Sequence, residues 1–149
     1  MNKKQSRAEE VVKLFNKGLY CSQAMFSTYC EDYGMDKETA IKVSCGLSAG
    51  MARVGSTCGA VTGAYLVISL KYGNTSPEDK PSIEKTFAVM REFNRSFIEK
   101  HASTNCRKLL GIDLDGEDKV HANERVQAIC PMVVRDAALL LESVLWKDE

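Results

Sequence analysis

Six cysteines occur in the 149 residues, and four of them share a setting that could support redox or metal chemistry. Each stands where the sequence indicates the start of a helix, and the four are Cys21, Cys58, Cys106 and Cys130. Cys130, for example, precedes Pro131, a residue type that favours the first position of a helix. A helix N-terminus carries partial positive charge and free N–H groups, so it favours a thiolate over a thiol. The four placements therefore predict thiols biased towards their reactive, metal-binding form.

The other two cysteines, Cys30 and Cys45, fall late in predicted helices, where the helix dipole opposes a thiolate. We interpret them as ordinary structural thiols. Cysteine is a small residue that is often buried, so a structural role is the alternative for the other four as well. The chain has no Cys-x-x-Cys pair, so four metal ligands could meet only through the tertiary fold.

A glycine-rich block spans residues 46–63 and surrounds Cys58. Gly59 and Gly63 lie four residues apart, on one face of a predicted helix, where small residues let another helix approach closely. The same closeness leaves room beside Cys58 for a metal, a cluster or a partner's sulfur, so both glycines are candidate cofactor-binding positions. The block lacks the Gly-Lys-Ser/Thr of a Walker loop and follows no strand, which leaves anion or nucleotide binding as a third, less favoured alternative.

Helical periodicity dominates the chain, and no segment shows the sustained alternation of a half-buried strand. The predicted helices cover roughly residues 6–17, 21–33, 36–45, 58–72, 82–101, 106–110 and 131–146. The fourth is apolar nearly all round, which is typical of a central, buried helix. The sequence therefore predicts a single all-α domain over residues 1–149, a bundle of about six to seven helices with a buried helix near residues 58–72.

Composition limits the classes of partner and the compartment. Twenty basic and twenty acidic residues leave no net charge, so nothing favours nucleic acid or an anionic membrane surface. The polar N-terminus has no apolar signal region, and the most apolar stretch, residues 60–70, is far below the about 20 residues that span a bilayer. These features predict a cytoplasmic protein with no membrane insertion. Cytosolic thiols are kept reduced, which favours metal ligation, redox cycling or burial over structural disulfides.

Residues 58–63 read Cys-Gly-Ala-Val-Thr-Gly, with one cysteine well upstream and two downstream. In this pattern the chain resembles the C_GCAxxG_C_C family of redox-active proteins. That family is about this size and is marked by four recurrent cysteines and a Cys-Gly-Ala-x-x-Gly core. Residues 18–24, 48–51 and 105–111 fit the family as well. By position, the resemblance assigns the family cysteines to Cys21, Cys58, Cys106 and Cys130. It implies a redox or electron-transfer role, sometimes in association with membrane transporters, and names no substrate or redox partner.

Two hypotheses of different classes follow. In the first, the protein is an oxidoreductase or electron carrier that uses the four cysteines together. For thiol–disulfide exchange we expect Cys58 to attack and Cys21 or Cys106 to resolve; for a metal, four thiolates suit zinc or an iron–sulfur cluster. Helix N-termini would offset the charge of four thiolates, which favours the metal or cluster. In the second, the chain is a structural or interaction module, such as a transporter-associated accessory protein, with packing cysteines. His101, close to Cys106 in sequence, is a candidate base or auxiliary ligand, although a structural role is favoured.

Overall fold

The computed structural model describes residues 4–149, which form seven right-handed α-helices. In chain order they are α1 Ala8–Asn16, α2 Cys21–Tyr29, α3 Lys37–Ser44, α4 Gly59–Tyr72, α5 Lys80–His101, α6 Cys106–Leu110 and α7 Lys119–Leu145. Short 3₁₀ turns follow α2 and α3, at Cys30–Tyr33 and Cys45–Leu47. The all-α prediction and the predicted number of helices are confirmed. No helix within residues 4–149 combines the length and the apolar character needed to cross a membrane.

Helix α4 is the centre of the bundle, as its apolar sequence predicts. Its buried residues include Val61, Val67 and Ile68, and the helix packs against α2, α5 and α7. The contact with α2 depends on Gly63, where a Cβ would lie 2.8 Å from the Cβ of Met25. The backbone of α4 can therefore approach α2 closely, and the two helices lie side by side with their N-termini at the same end.

Local capping signals explain where several helices begin. Asp36, the first residue of the predicted helix 36–45, caps α3, since its carboxylate accepts the N–H of Thr39. Helix α5 begins slightly earlier than the sequence suggests, because Asp79 and not Ser82 is its cap, and its carboxylate accepts the N–H of Ser82. Pro81 occupies the first turn, where its missing N–H costs nothing.

The predicted start of the last helix at Pro131 is wrong. Helix α7 begins at Lys119 and runs through Pro131, so Cys130 lies in its middle. The helix starts early because the carboxylate of Asp118 accepts the N–H of His121 and so caps it. Pro131 removes one backbone hydrogen bond, a cost of about 3 kcal/mol that burial of apolar residues such as Val133 offsets.

An unusual segment precedes α4. Residues 49 to 53 all have positive φ values, from 55° at Ala49 to 68° at Gly50 and 67° at Arg53, and together they form one turn of left-handed helix. We call this segment the left-handed turn. Only Gly50 adopts this conformation without strain, and the other four residues cost roughly 1–2 kcal/mol each. Gly50 is also needed for space, because a Cβ there would lie 2.7 Å from the Cβ of Cys106.

Candidate functional site

A cavity of about 270 Å³ brings together the four predicted cysteines. All four of these cysteines line it, namely Cys21, Cys58, Cys106 and Cys130. The rest of its wall is mainly apolar and comes largely from α6, α7 and the loop between them, with residues such as Leu110, Leu114 and Ile129. The tertiary fold thus places at one site thiols that are far apart in the sequence.

The packing of α2 against α4 places the first two cysteines side by side. Cys21 is the first residue of α2, and Cys58 is the N-cap of α4. A Cβ on Gly59 would lie only 2.1 Å from the Sγ of Cys21, so this sulfur rests directly on the Gly59 backbone. Glycine at position 59 therefore allows the Cys21 sulfur to lie beside the residue that follows Cys58.

A short antiparallel bridge positions the third cysteine. Thr57 pairs with Asn105 in an isolated β-bridge between the two segments that lead into α4 and α6. Cys58 and Cys106 each donate a backbone N–H to a carbonyl oxygen of the opposite segment, with N···O distances of 2.7 Å. Both cysteines are direct neighbours of the bridged pair, so alternation of side chains directs them to the same face.

Cys130 reaches the cavity from the middle of α7 and is half-buried. The expectation that it begins a helix is therefore wrong, and no helix N-terminus stands behind this thiol. The long helix α7 positions this thiol in the cavity wall, which Val126 and Val133 of the same helix also line.

Burial dominates the electrostatics of the four thiols. It raises the pKa of Cys58 well above its ordinary value, and the neighbouring Cys21 raises it further. Burial also raises the pKa of Cys21, although the backbone N–H groups of Ala49 and Gly59 act in the opposite direction. Burial, followed by the influence of Cys21, raises the pKa of Cys106 to about 11.

For Cys130, burial comes first, followed by Cys21 and Cys106, and the pKa rises to about 12. The prediction that helix N-termini would bias these cysteines towards thiolates is therefore wrong in direction. Moving a thiolate from water into an apolar cavity costs more free energy than its interaction with a few N–H dipoles contributes. Burial thus favours the protonated form of all four thiols, and ionising one of them makes it harder to ionise the others.

The other two cysteines and His101 lie away from the cavity. Cys30 is buried in the core, with its Sγ 3.5 Å from the carbonyl oxygen of Ser27, and Cys45 is exposed. His101 lies with its Nε2 3.1 Å from a carboxylate oxygen of Asp136, and it is not part of the cavity wall. Gly59 lines the cavity, whereas the candidate cofactor position Gly63 packs against α2 instead.

Two polar residues of the site were missed by sequence reasoning. Lys119 and Asn123 line the cavity from the first turns of α7, a region that the predicted helices did not include. The cap at Asp118 was the signal that could have located them. Arg53 and Tyr20 lie beside each other in the same wall, where Arg53 Nη2 donates to the Tyr20 hydroxyl at 3.1 Å.

The metal hypothesis can be compared with the donor atoms present. Four sulfur atoms are a donor set of the kind that zinc and iron–sulfur clusters take. Within residues 4–149, no three His, Cys, Asp or Glu side chains are grouped so as to hold a metal ion. The four thiols are therefore suitable ligands by their chemistry, but their sulfur atoms would need to move closer together to hold such a group.

The chain matches one protein-family model. That model carries the description "Putative redox-active protein (C_GCAxxG_C_C)" and matches residues 19–144, which include all four cavity cysteines. No curated protein and no solved structure matches the chain. Because the match extends over most of its length, the chain belongs to the C_GCAxxG_C_C family of redox-active proteins.

Proposed function

We propose that the protein is a redox carrier whose working group is the set of four cavity thiols, with Cys21 and Cys58 as the pair that cycles between dithiol and disulfide. The observation that carries the proposal is the position of the Cys21 sulfur against the backbone of Gly59, the neighbour of Cys58. Of the other three cavity thiols, Cys21 also has the largest influence on the pKa of Cys58. These two thiols are therefore the favoured redox pair.

The reaction is a two-electron exchange with an external disulfide. Deprotonated Cys58 attacks one sulfur of that disulfide, which forms a mixed disulfide and releases the other half as a thiolate. Cys21 then attacks the Cys58 sulfur, so the internal disulfide forms and the second half of the external compound leaves. The two protons lost by the protein end on the two leaving thiolates. The external disulfide is thereby reduced and the protein oxidised.

The reverse direction uses the N–H groups around Cys21. When an external thiolate attacks the Cys58 sulfur of the internal disulfide, Cys21 leaves as a thiolate. The backbone N–H groups of Ala49 and Gly59 stabilise negative charge on this sulfur, because they lower its pKa against the effect of burial. These N–H groups therefore support Cys21 as the resolving thiol, with Cys58 as the sulfur that the external thiolate attacks.

A second candidate is a thiolate-ligated metal or iron–sulfur centre. It is favoured by the presence of four cysteines around one cavity, twice the number that a disulfide couple needs. Cys21, Cys58, Cys106 and Cys130 would hold the group, and a cluster would supply one-electron transfer. The N-termini of α2 and α4 would offset part of the negative charge of the ligands.

Anaerobic purification, elemental analysis, an absorption spectrum and thiol counting by mass spectrometry distinguish the candidates. For the disulfide couple we expect metal-free protein that loses two thiols on treatment with a disulfide, with peptide mapping that joins Cys21 to Cys58. Stoichiometric zinc, or iron with sulfide, that is lost in C58S would support the metal centre instead.

The variants C30S and C45S are matched controls, since both residues lie outside the cavity. Each should show the metal content of the unmodified protein and the same loss of two thiols on treatment with a disulfide. Six freely titrating thiols with neither metal nor a reversible couple would contradict both candidates and leave a structural module as the explanation.

A further inference from the structure

The charged groups of the cavity are all of one sign. Arg53 and Lys119 are the formally charged side chains in its wall, within the part of the chain that the structure describes, and no Asp, Glu or His joins them. Both are exposed, so they stand on the solvent side of the cavity. The site therefore carries two positive charges above a wall of thiols and hydrocarbon.

Neither cation is neutralised by a neighbouring acid. No carboxylate within residues 4–149 forms an ion pair with Arg53 or Lys119. Both donate instead to neutral oxygens, Arg53 to the Tyr20 hydroxyl at 3.1 Å and Lys119 Nζ to the carbonyl of Leu114 at 3.2 Å.

Two of the acids near Lys119 in the sequence are engaged with other groups, and neither Asp115 nor Glu117 forms an ion pair with Arg53 or Lys119. The Asp113 carboxylate lies 3.3 Å from Arg107, and the Asp118 carboxylate accepts the N–H of His121. The positive charge at the cavity is therefore available to a ligand.

The volume and lining of the cavity limit what such a ligand can be. A cavity of about 270 Å³ lies just below the usual range for drug-sized ligands, which is about 300–1,000 Å³. Its deeper wall offers no charged side chain, only thiols and apolar groups such as Leu110 and Val134. A ligand that fits has a short, apolar, sulfur-containing body and an anionic end.

We infer that the redox partner of the Cys21–Cys58 pair is a small anionic disulfide or thiol, drawn to the cavity by Arg53 and Lys119. This inference rests on the proposed function and specifies its substrate class. Charges of one sign around a site raise the encounter rate of an oppositely charged ligand by about 10–10³-fold at low salt.

Three disulfides with the same two-methylene spacer between sulfur and the end group test the inference. They are 3,3′-dithiodipropionate, bis(2-hydroxyethyl) disulfide and cystamine, which carry two negative charges, no charge and two positive charges, respectively. The rate at which each oxidises the reduced protein is measured by acid quench and mass spectrometry. Rates of the same compounds with dithiothreitol correct for intrinsic reactivity. At low ionic strength, we expect the corrected rate of oxidation by the dianionic disulfide to be at least about tenfold higher than that by the dicationic one.

The preference should disappear in high salt and in the double variant R53Q/K119Q. It should persist in K42Q, which removes an exposed lysine of α3 outside the cavity. The salt series on the unmodified protein gives an independent reading if the double variant folds poorly. Corrected rates that do not depend on the charge of the disulfide would overturn the inference and leave the proposed function standing. Failure of all three compounds to oxidise the pair would instead count against the proposed function.

Discussion

Replacing Gly59 by alanine tests the assignment of the redox pair most directly. The added Cβ would lie 2.1 Å from the Cys21 Sγ and 3.1 Å from the backbone nitrogen of Ser22, whereas ordinary contact begins at 3.4 Å. The sulfur would have to retreat by about 1.3 Å, because the backbone of Ser22 leaves the new methyl group little freedom. A disulfide needs Cβ atoms about 3.5–4.5 Å apart and a narrow range of torsion angles. We therefore expect formation of the Cys21–Cys58 disulfide to slow by at least about tenfold, since such a displacement removes the aligned geometry.

The effect of G59A on stability should be smaller than its effect on the redox rate. Overpacking a well-filled site costs about 1–3 kcal/mol, and alanine returns up to about 1 kcal/mol through its higher helix propensity. The expected net loss in the free energy of unfolding is about 1–2 kcal/mol, measured by urea titration of the reduced protein.

Two other glycines provide controls for this experiment. Gly46 has nothing within 4 Å of an added Cβ, so G46A should leave both stability and oxidation rate unchanged. In G63A the new Cβ would meet Met25 at 2.8 Å, so this variant should be destabilised while its thiols still pair normally. If G59A oxidises at the rate of the unmodified protein, or if G63A slows oxidation equally, then the contact at Gly59 does not define the redox pair.

The remaining predictions concern stability. Because burial raises the pKa of Cys106 to about 11 and that of Cys130 to about 12, the unfolded chain loses these protons first, so the free energy of unfolding of the reduced protein should fall from about pH 9 upwards. Urea titrations at pH 8 and pH 10.5 check this, and equal stabilities would contradict it. The buried Tyr29 hydroxyl donates to Glu142 Oε1 at 2.6 Å, so Y29F should cost about 1.5–3 kcal/mol in urea unfolding, and a loss below about 0.5 kcal/mol would show that the bond contributes little. Removing the cap of α3 in D36A should cost about 0.5–2 kcal/mol, and a thermal midpoint unchanged from the unmodified protein would refute the capping role.

Local sequence signals located helices where they agreed with the tertiary packing. Asp36 caps α3 and Gly59 begins α4, since a cap and a glycine-rich turn act within a few residues of themselves. Pro131 was misleading because its fixed φ suits both the first turn and the interior of a helix. Which of these applies depends on burial at distant positions such as Ala122, which no local pattern reports.

The thiol pKa values could not be inferred from helix starts alone. A helix start at Cys21 or Cys58 indicates a favourable dipole, but it gives no sign of the apolar residues of α7 that line the same cavity. Desolvation is a property of the assembled cavity and outweighs the local dipole. The choice of the four cysteines did not depend on the dipole alone, because the glycine-rich block pointed to Cys58 and the family pattern pointed to all four.

The left-handed turn has a consequence for chemical synthesis. For a D-amino acid, the positive φ of Ala49 and Ala52 is the ordinary helical region, so D-alanine fits these positions better than the natural residue. A protein assembled by peptide ligation with D-Ala at position 52 should unfold with a free energy about 1–2 kcal/mol higher, because the steric cost of the L-residue disappears. The N–H of Ala49 that faces the Cys21 sulfur thus belongs to a stretch of backbone whose handedness is opposite to that of the surrounding helices.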